Sequence, residues 1–176
     1  MILLGNSMSG HPGGEEHTRR MLALSGVPVG AKIMDLGAGA GESVALLRAL
    51  GYEARGIDLL PRSELVERGD LLHTPYPAES FDAVLSQCAL YVSGDVPGAL
   101  REARRLLRPG GKLLWSDVFF EPAAPLLESS GLHLLHAEDM TAAWREYYFE
   151  ALWREEEPCC LPRGKCEYWL LIAERR

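Results

Sequence analysis

Asp35-Leu36-Gly37-Ala38-Gly39-Ala40-Gly41-Glu42 decides how the rest of this chain is read. The apolar run at 31–36 leads into it, and a helical pattern at 43–50 leads out of it. Strand, glycine turn and helix in that order present backbone N–H groups and the positive end of a helix to an anionic ligand group. Glycine permits the tight turn and lets a ligand approach bare backbone. A dinucleotide-binding turn reads G-x-G-x-x-G, and counted from Gly37 its last glycine would stand at position 42. That position is Glu42. The pattern is instead acid-x-G-x-G-x-G, with Asp35 at the end of the strand.

Working outward, residues 52–58 read as a second strand ending in Gly-Ile-Asp, and Asp58 follows Gly37 by 21 residues (58 − 37). A carboxylate about 20 residues past a glycine turn, at the tip of the next strand, is placed to accept the two hydroxyls of a ribose. Parallel strands normally need a crossover of about a dozen residues. Only residues 59–64 separate Asp58 from the next strand-like run, 65–68. This crossover is shortened to one helical turn at most, and its strand is expected to be the weak edge of the sheet.

Gly69-Asp70-Leu71 ends that strand, and residues 74–80 form a turn-rich loop. Residues 81–86 are nearly all apolar, as in a strand covered on both faces. Residues 95–108 predict a helix with Ala99, Leu100, Ala103, Leu106 and Leu107 on one face, stopped by Pro109-Gly110-Gly111 before a fifth strand at 112–118. Upstream, 15–24 reads as a helix closed by Ser25-Gly26-Val27-Pro28, after a Gly-, Ser- and Pro-rich start, 1–14, expected to be mobile without ligand. Downstream come a short helix (122–130), a strand (132–137), an aromatic-rich helix (141–157) and a last strand (167–173). Trp144, Tyr147, Tyr148, Ala151 and Leu152 share one face of that helix and read as core. Alternating strands and helices, with no repeat or linker, make residues 1–176 a single α/β doubly wound domain.

A chain of 176 residues can bury its own core. Its formal net charge of −7 argues against a nucleic-acid partner, which requires a basic face. The densest basic cluster, 101–108, alternates with apolar residues and reads as one solvated helix face. Nothing approaches the roughly 18 consecutive apolar residues of a membrane span. Met1-Ile-Leu-Leu-Gly5 lacks the basic start of a secretory signal, so the expected location is cytoplasmic. Cys88, Cys159, Cys160 and Cys166 match no zinc spacing; free thiols and no metal site are expected.

Asp35-x-Gly-x-Gly-x-Gly, Ile57-Asp58, Gly69-Asp70-Leu71, Phe81-Asp82-Ala83-Val84 and Arg104-Arg105-Leu106-Leu107-Arg108-Pro109-Gly110-Gly111 stand in that order. Together they resemble the class I S-adenosylmethionine-dependent methyltransferases, specifically the small ubiquinone-biosynthesis-like (methyltransferase type 11) kind. The resemblance covers residues 15–117 and reaches the last third only through its pattern of elements. It implies a Rossmann-like, mostly parallel seven-stranded sheet with an antiparallel last strand. It also implies S-adenosyl-L-methionine as methyl donor and S-adenosyl-L-homocysteine as product. In that reading Asp35, Gly37, Ala38 and Gly39 hold the methionine end, Asp58 the ribose, and Asp70 and Leu71 the adenine. Leu59, Ser86 and Gln87 complete the cofactor contacts. Residues 1–25, with His11, His17 and Thr18, would cap the cofactor, and 120–165 would form the substrate side.

Transfer from a sulfonium is an in-line displacement of an already activated methyl. Alignment and water exclusion are then the protein's main task, with effective molarities worth about 7–11 kcal/mol. A general base is needed only if the acceptor must lose a proton; Cys88 and His17 are the candidate catalytic residues. The acceptor is expected near Ser86-Gln87-Cys88-Ala89-Leu90-Tyr91. This stretch lacks the Asn/Asp-Pro-Pro-aromatic motif of methyltransferases acting on adenine or glutamine amides, which points to a small-molecule acceptor. Ser-Gln-Cys-Ala-Leu is similar to the cysteine-bearing stretch of arsenite methyltransferases, which hold a soft metalloid with several thiolates. The other cysteines do not match that family's positions. The alternative class is a non-catalytic binder of the cofactor or its demethylated product. The expected state is a monomer or a homodimer, with the shortened edge near 59–68 a candidate pairing surface.

Overall fold

Strand β1 (Lys32–Leu36) lies mid-sheet, with every residue after Lys32 buried. Parallel to it on one side run β2 (Glu53–Asp58) and then the three-residue edge strand β3 (Val66–Arg68). On the other side lie β4 (Phe81–Gln87) and β5 (Leu107–Phe119), also parallel. Antiparallel β7 (Glu167–Arg175) follows, and β6 (Leu132–Asp139) pairs antiparallel with β7 at the far edge. The order is β3-β2-β1-β4-β5-β7-β6. The computed structural model describes residues 12–153 and 166–176, apart from the side chains at 151 and 152. The shortened crossover is real: no helix stands between β2 and β3.

Side chains alternate across each strand, so each sheet face acquires its own core. Ile33, Leu85, Leu114 and Ile172 face Met21 and Leu22 of α1 (Gly14–Ser25) and Val44 and Leu47 of α2 (Glu42–Ala49). Met34, Val84, Trp115 and Leu171 face α3 (Val96–Leu106) and α4 (Ala123–Ser129) through Leu100, Ala103 and Leu127. A third cluster joins Cys88, Val118, Cys166 and Tyr168 to Trp144 and Tyr148 of α5 (Thr141–Trp153). The expected core face of α5 is therefore buried at Trp144 and Tyr148. Residues 154–157, expected to continue it, lie outside the described residues, as do 1–11 with His11.

Two expectations need correction. Asp95 caps α3, its carboxylate accepting from the Gly98 N–H at 2.8 Å, but the helix ends at Leu106 and β5 begins at Leu107. Leu107 pairs with Phe81, so Pro109-Gly110-Gly111 passes through an irregular stretch of strand rather than a connecting turn. Nor is the 101–108 cluster wholly solvated. Glu102 is buried and ion-paired with Arg105 at 2.7 Å, and it accepts both the N–H and the hydroxyl of Thr74 at 2.9 and 2.6 Å. Burial pushes its carboxyl up, but Arg105 and Thr74 outweigh that and hold it below the ordinary carboxylate range.

Candidate functional site

The strand order reverses direction between β1 and β4, the switch point where open α/β sheets bind ligands beyond their strand ends. The glycine turn leaves β1 there. Gly37, Gly39 and Gly41 all have positive φ, at 82°, 53° and 81°. A Cβ on Gly37 would overlap the Ala89 methyl group, so no other residue fits without displacing the loop after β4. The N–H groups of Gly37 and Ala38 donate to the Ile57 carbonyl at 2.9 and 3.1 Å, tying the turn to the tip of β2.

Asp58 ends β2. One carboxylate oxygen accepts from Gly39 N–H at 2.9 Å and the other from Leu60 N–H at 2.8 Å. A carboxylate offers about four acceptor sites, so two remain for ligand hydroxyls. Asp35 lies behind the turn, 4% exposed; burial, and secondarily the Asp58 charge, push its carboxyl up to about 7. The shortened crossover does more than save length. Its Arg62 N–H donates to the Gly39 carbonyl at 3.0 Å and its Ser63 hydroxyl to the Ala40 carbonyl at 2.7 Å. The missing helix is replaced by a loop latched onto the glycine turn. Leu59 and Leu60 stay exposed beside Asp58, so the site is open on that side. Across the opening, Leu71 is buried, and Asp70 turns one oxygen to the Leu72 N–H at 2.8 Å.

The end of β4 is built differently. Ser86 is fully buried and donates to the Leu36 carbonyl at 2.9 Å, a link between neighbouring strands. The Gln87 side-chain carbonyl accepts from Thr18 of α1 at 3.1 Å and from Ser43 of α2 at 3.0 Å. Gln87 thus joins the capping helix to the helix after the glycine turn. Cys88 has φ 55°, a strained conformation for a non-glycine residue and a common mark of functional sites. Its N–H donates to the Ser116 carbonyl at 2.8 Å, and its thiol lies 3.4 Å from the Tyr168 hydroxyl. That hydroxyl donates to Ser116 Oγ at 3.2 Å. Complete burial, and next the neighbouring Cys88, push the Tyr168 phenol well above its ordinary range.

His17, expected at the surface, is buried, with its ring 6.3 Å from that of Tyr168. Trp144 stacks on Tyr168 at 6.1 Å, and its indole Nε1 is buried without a hydrogen-bond partner among the described residues. The structure therefore gathers Asp35, Gly37, Ala38, Gly39 and Asp58 around one turn, and Gln87, Cys88 and His17 around another. Sequence reading missed Ser43, Ser116, Asp117 and Tyr168. Asp117 accepts the N–H groups of Tyr91 and Val118 at 3.0 and 2.9 Å and fixes the loop after β4. Its one available signal was a carboxylate at the end of an apolar strand. Cys159 and Cys160 lie outside the described residues, and among those described no group of three or more His, Cys, Asp or Glu side chains could hold a metal.

Switch point, glycine turn and the acid at the next strand tip together form the candidate ligand site of this α/β domain. The family profile described as "Methyltransferase domain" matches residues 34–115. Over 116 residues the chain is 34% identical to a demethylmenaquinone methyltransferase of Tropheryma whipplei, a match covering 57% of this chain and 47% of the relative. Over 118 residues it is 30% identical to an arsenite methyltransferase of Aquipseudomonas alcaligenes, covering 51% of this chain and 33% of the relative. The fold superposes on Haemonchus contortus phosphoethanolamine N-methyltransferase 2 with a TM-score of 0.76 at 17% identity, over 94% of this chain and 53% of that one. Over residues 34–115 the chain is thus similar to the class I S-adenosylmethionine-dependent methyltransferases. It spans about half the length of the first curated relatives it matches.

Proposed function

We propose that this protein transfers a methyl group from S-adenosyl-L-methionine to a small-molecule acceptor, releasing S-adenosyl-L-homocysteine. The observation that carries the reading is Asp58, held by two backbone N–H groups with two acceptor sites to spare beside a turn of positive-φ glycines. Bound there, S-adenosylmethionine supplies a methyl already activated on a sulfonium.

The chain's own residues bind and orient. Asp58 takes the ribose hydroxyls, and Leu59, Asp70 and Leu71 flank the adenine. The backbone of Gly37, Ala38 and Gly39 receives the methionine end. Asp35, poised near neutrality, ionises fully when a cationic group of the ligand comes close. Gln87 and Ser86 hold the end of β4 in place, where the acceptor is aligned and water excluded.

Calorimetry tests the first step: binding of S-adenosylmethionine is expected in wild type, weakened at least 10-fold in Asp58→Ala. No heat and no thermal shift at millimolar ligand would sink the reading. A non-catalytic binder is the second reading. It is favoured by the Cys88 thiol being engaged with the buried Tyr168 phenol rather than standing free as a base. Turnover on a panel of thiols, phenols and amines separates the two, and an arsenite arm tests the metalloid acceptor. Arsenite methylation undiminished in Cys88→Ser would strip that cysteine of a role. Acidity argues against a nucleic-acid partner; among the described residues no helix is long and apolar enough to cross a membrane.

A further inference from the structure

On the sheet face away from the Tyr168 cluster lies a cavity of about 520 Å³ between α4, β6 and β7. It exists because α4, at seven residues, is too short to cover the strands beneath it. The alternation of β7 supplies its floor: Tyr168 and Leu170 turn to the other face, while Trp169 and Leu171 turn inward here. Phe119, Phe120 and Leu134 complete apolar walls. The volume falls within the roughly 300–1,000 Å³ of small-molecule sites. Among the described residues, the only charges lining it are the carboxylates of Glu121 and Glu167, and no Lys, Arg or His joins them. Glu167 is engaged by the Trp169 indole N–H at 2.9 Å. Such a groove rejects an anionic guest and suits an uncharged apolar one.

The loop after β4 links the groove to the glycine turn. Ala89 packs against Gly37 so closely that a Cβ there would overlap it. Two residues further on, a span of at most about 7 Å, the Tyr91 ring pairs with Phe120 at 5.1 Å. Phe120 is itself a wall of the groove. Tyr91 is held by its N–H bond to Asp117, so the rim has a fixed position. One short loop therefore touches the expected donor site at one end and the groove at the other.

We propose that this groove is the apolar subsite of the methyl acceptor. It takes the uncharged aromatic or hydrocarbon body of a small molecule whose reactive end reaches the Tyr91–Phe120 rim. The word acceptor rests on the methyltransferase reading above; the groove's preference for an apolar guest does not.

The test titrates the full chain with neutral N-phenyl-1-naphthylamine and with anionic 1-anilinonaphthalene-8-sulfonate, following dye fluorescence. The neutral dye is expected to bind saturably, and the sulfonate at least 10-fold more weakly. Ala137→Trp and Ala124→Trp each fill the groove from an accessible position. Each should weaken neutral-dye binding at least 10-fold and leave the heat of S-adenosylmethionine binding unchanged. Equal dye binding in wild type and both variants, or a preference for the sulfonate, overturns the proposal. So does a concentration-dependent wild-type dimer that Ala137→Trp dissociates, which would make the face an interface between two copies. Donor heat without dye binding sinks the groove alone. Dye binding without donor heat sinks the methyltransferase reading, and the acceptor role with it.

Discussion

Residues 32–87 and residues 107–175 build the two halves of one sheet by different means. In the first half polar bonds converge on a single turn: Ile57 O, Asp58, Arg62 N–H and the Ser63 hydroxyl all engage the stretch from Gly37 to Ala40. In the second half the comparable space is walled by the apolar side chains of Phe119, Leu134, Trp169 and Leu171. Polar geometry needs particular residue types at fixed spacing, whereas an apolar wall accepts many side chains of similar volume. The family profile reflects this and stops at residue 115, inside β5. The profile's match thus falls mainly in the half proposed to hold the methyl donor, and the half proposed to take the acceptor lies largely beyond it.

The largest expected effect comes from adding one carbon to the donor half. Gly37→Ala places a Cβ at φ 82° against the Ala89 methyl group. Left-handed strain and overpacking together should cost about 2–5 kcal/mol and remove S-adenosylmethionine binding. A urea midpoint equal to wild type would mean the loop after β4 yields freely.

Asp35 makes the same half sensitive to pH. Its folded value of about 7 lies above the ordinary value of 3.8, so the native state holds the extra proton. The stability it contributes is full below about pH 4 and is lost as pH rises through about 7. Its slope approaches 1.4 kcal/mol per pH unit in between. Asp35→Asn should flatten that part of the curve. Parallel wild-type and variant curves would show that Asp35 titrates normally.

The second half should respond more mildly and independently. Tyr168→Phe leaves Cys88 and Ser116 without their shared hydroxyl and should cost about 1–3 kcal/mol, with donor affinity unchanged. A matching loss of donor affinity would couple the halves and break the contrast. The smallest effect is expected at Arg20, which holds Glu138 in an exposed pair at 2.8 Å across α1 and β6. Arg20→Ala should cost about 0.2–1 kcal/mol by thermal unfolding, less at high salt.

Errors of reading fell where a distant segment folds back. The basic cluster in α3 looked solvated because the partner of Glu102 and Arg105, Thr74, lies some thirty positions upstream in a loop. His17 looked exposed because its neighbour Tyr168 belongs to the last strand. The strand extension at Leu107 depended on a pairing with Phe81 that no local pattern records. By contrast, the shortened crossover was plain from a count of residues between Asp58 and β3, though its latch onto Gly39 and Ala40 was not.

The sequence by itself determined the α/β order, the glycine turn, the exclusion of a dinucleotide by Glu42, and the acid at the tip of β2. These are local facts, because a turn's φ angles and a strand's end are set by residues within a few positions. Only the tertiary structure decided that Gln87 joins two helices, that Cys88 meets Tyr168 and Ser116, and that an apolar groove opens beside Phe120. Those depend on residues from opposite ends of the chain meeting across β5 and β7, which chain spacing does not encode.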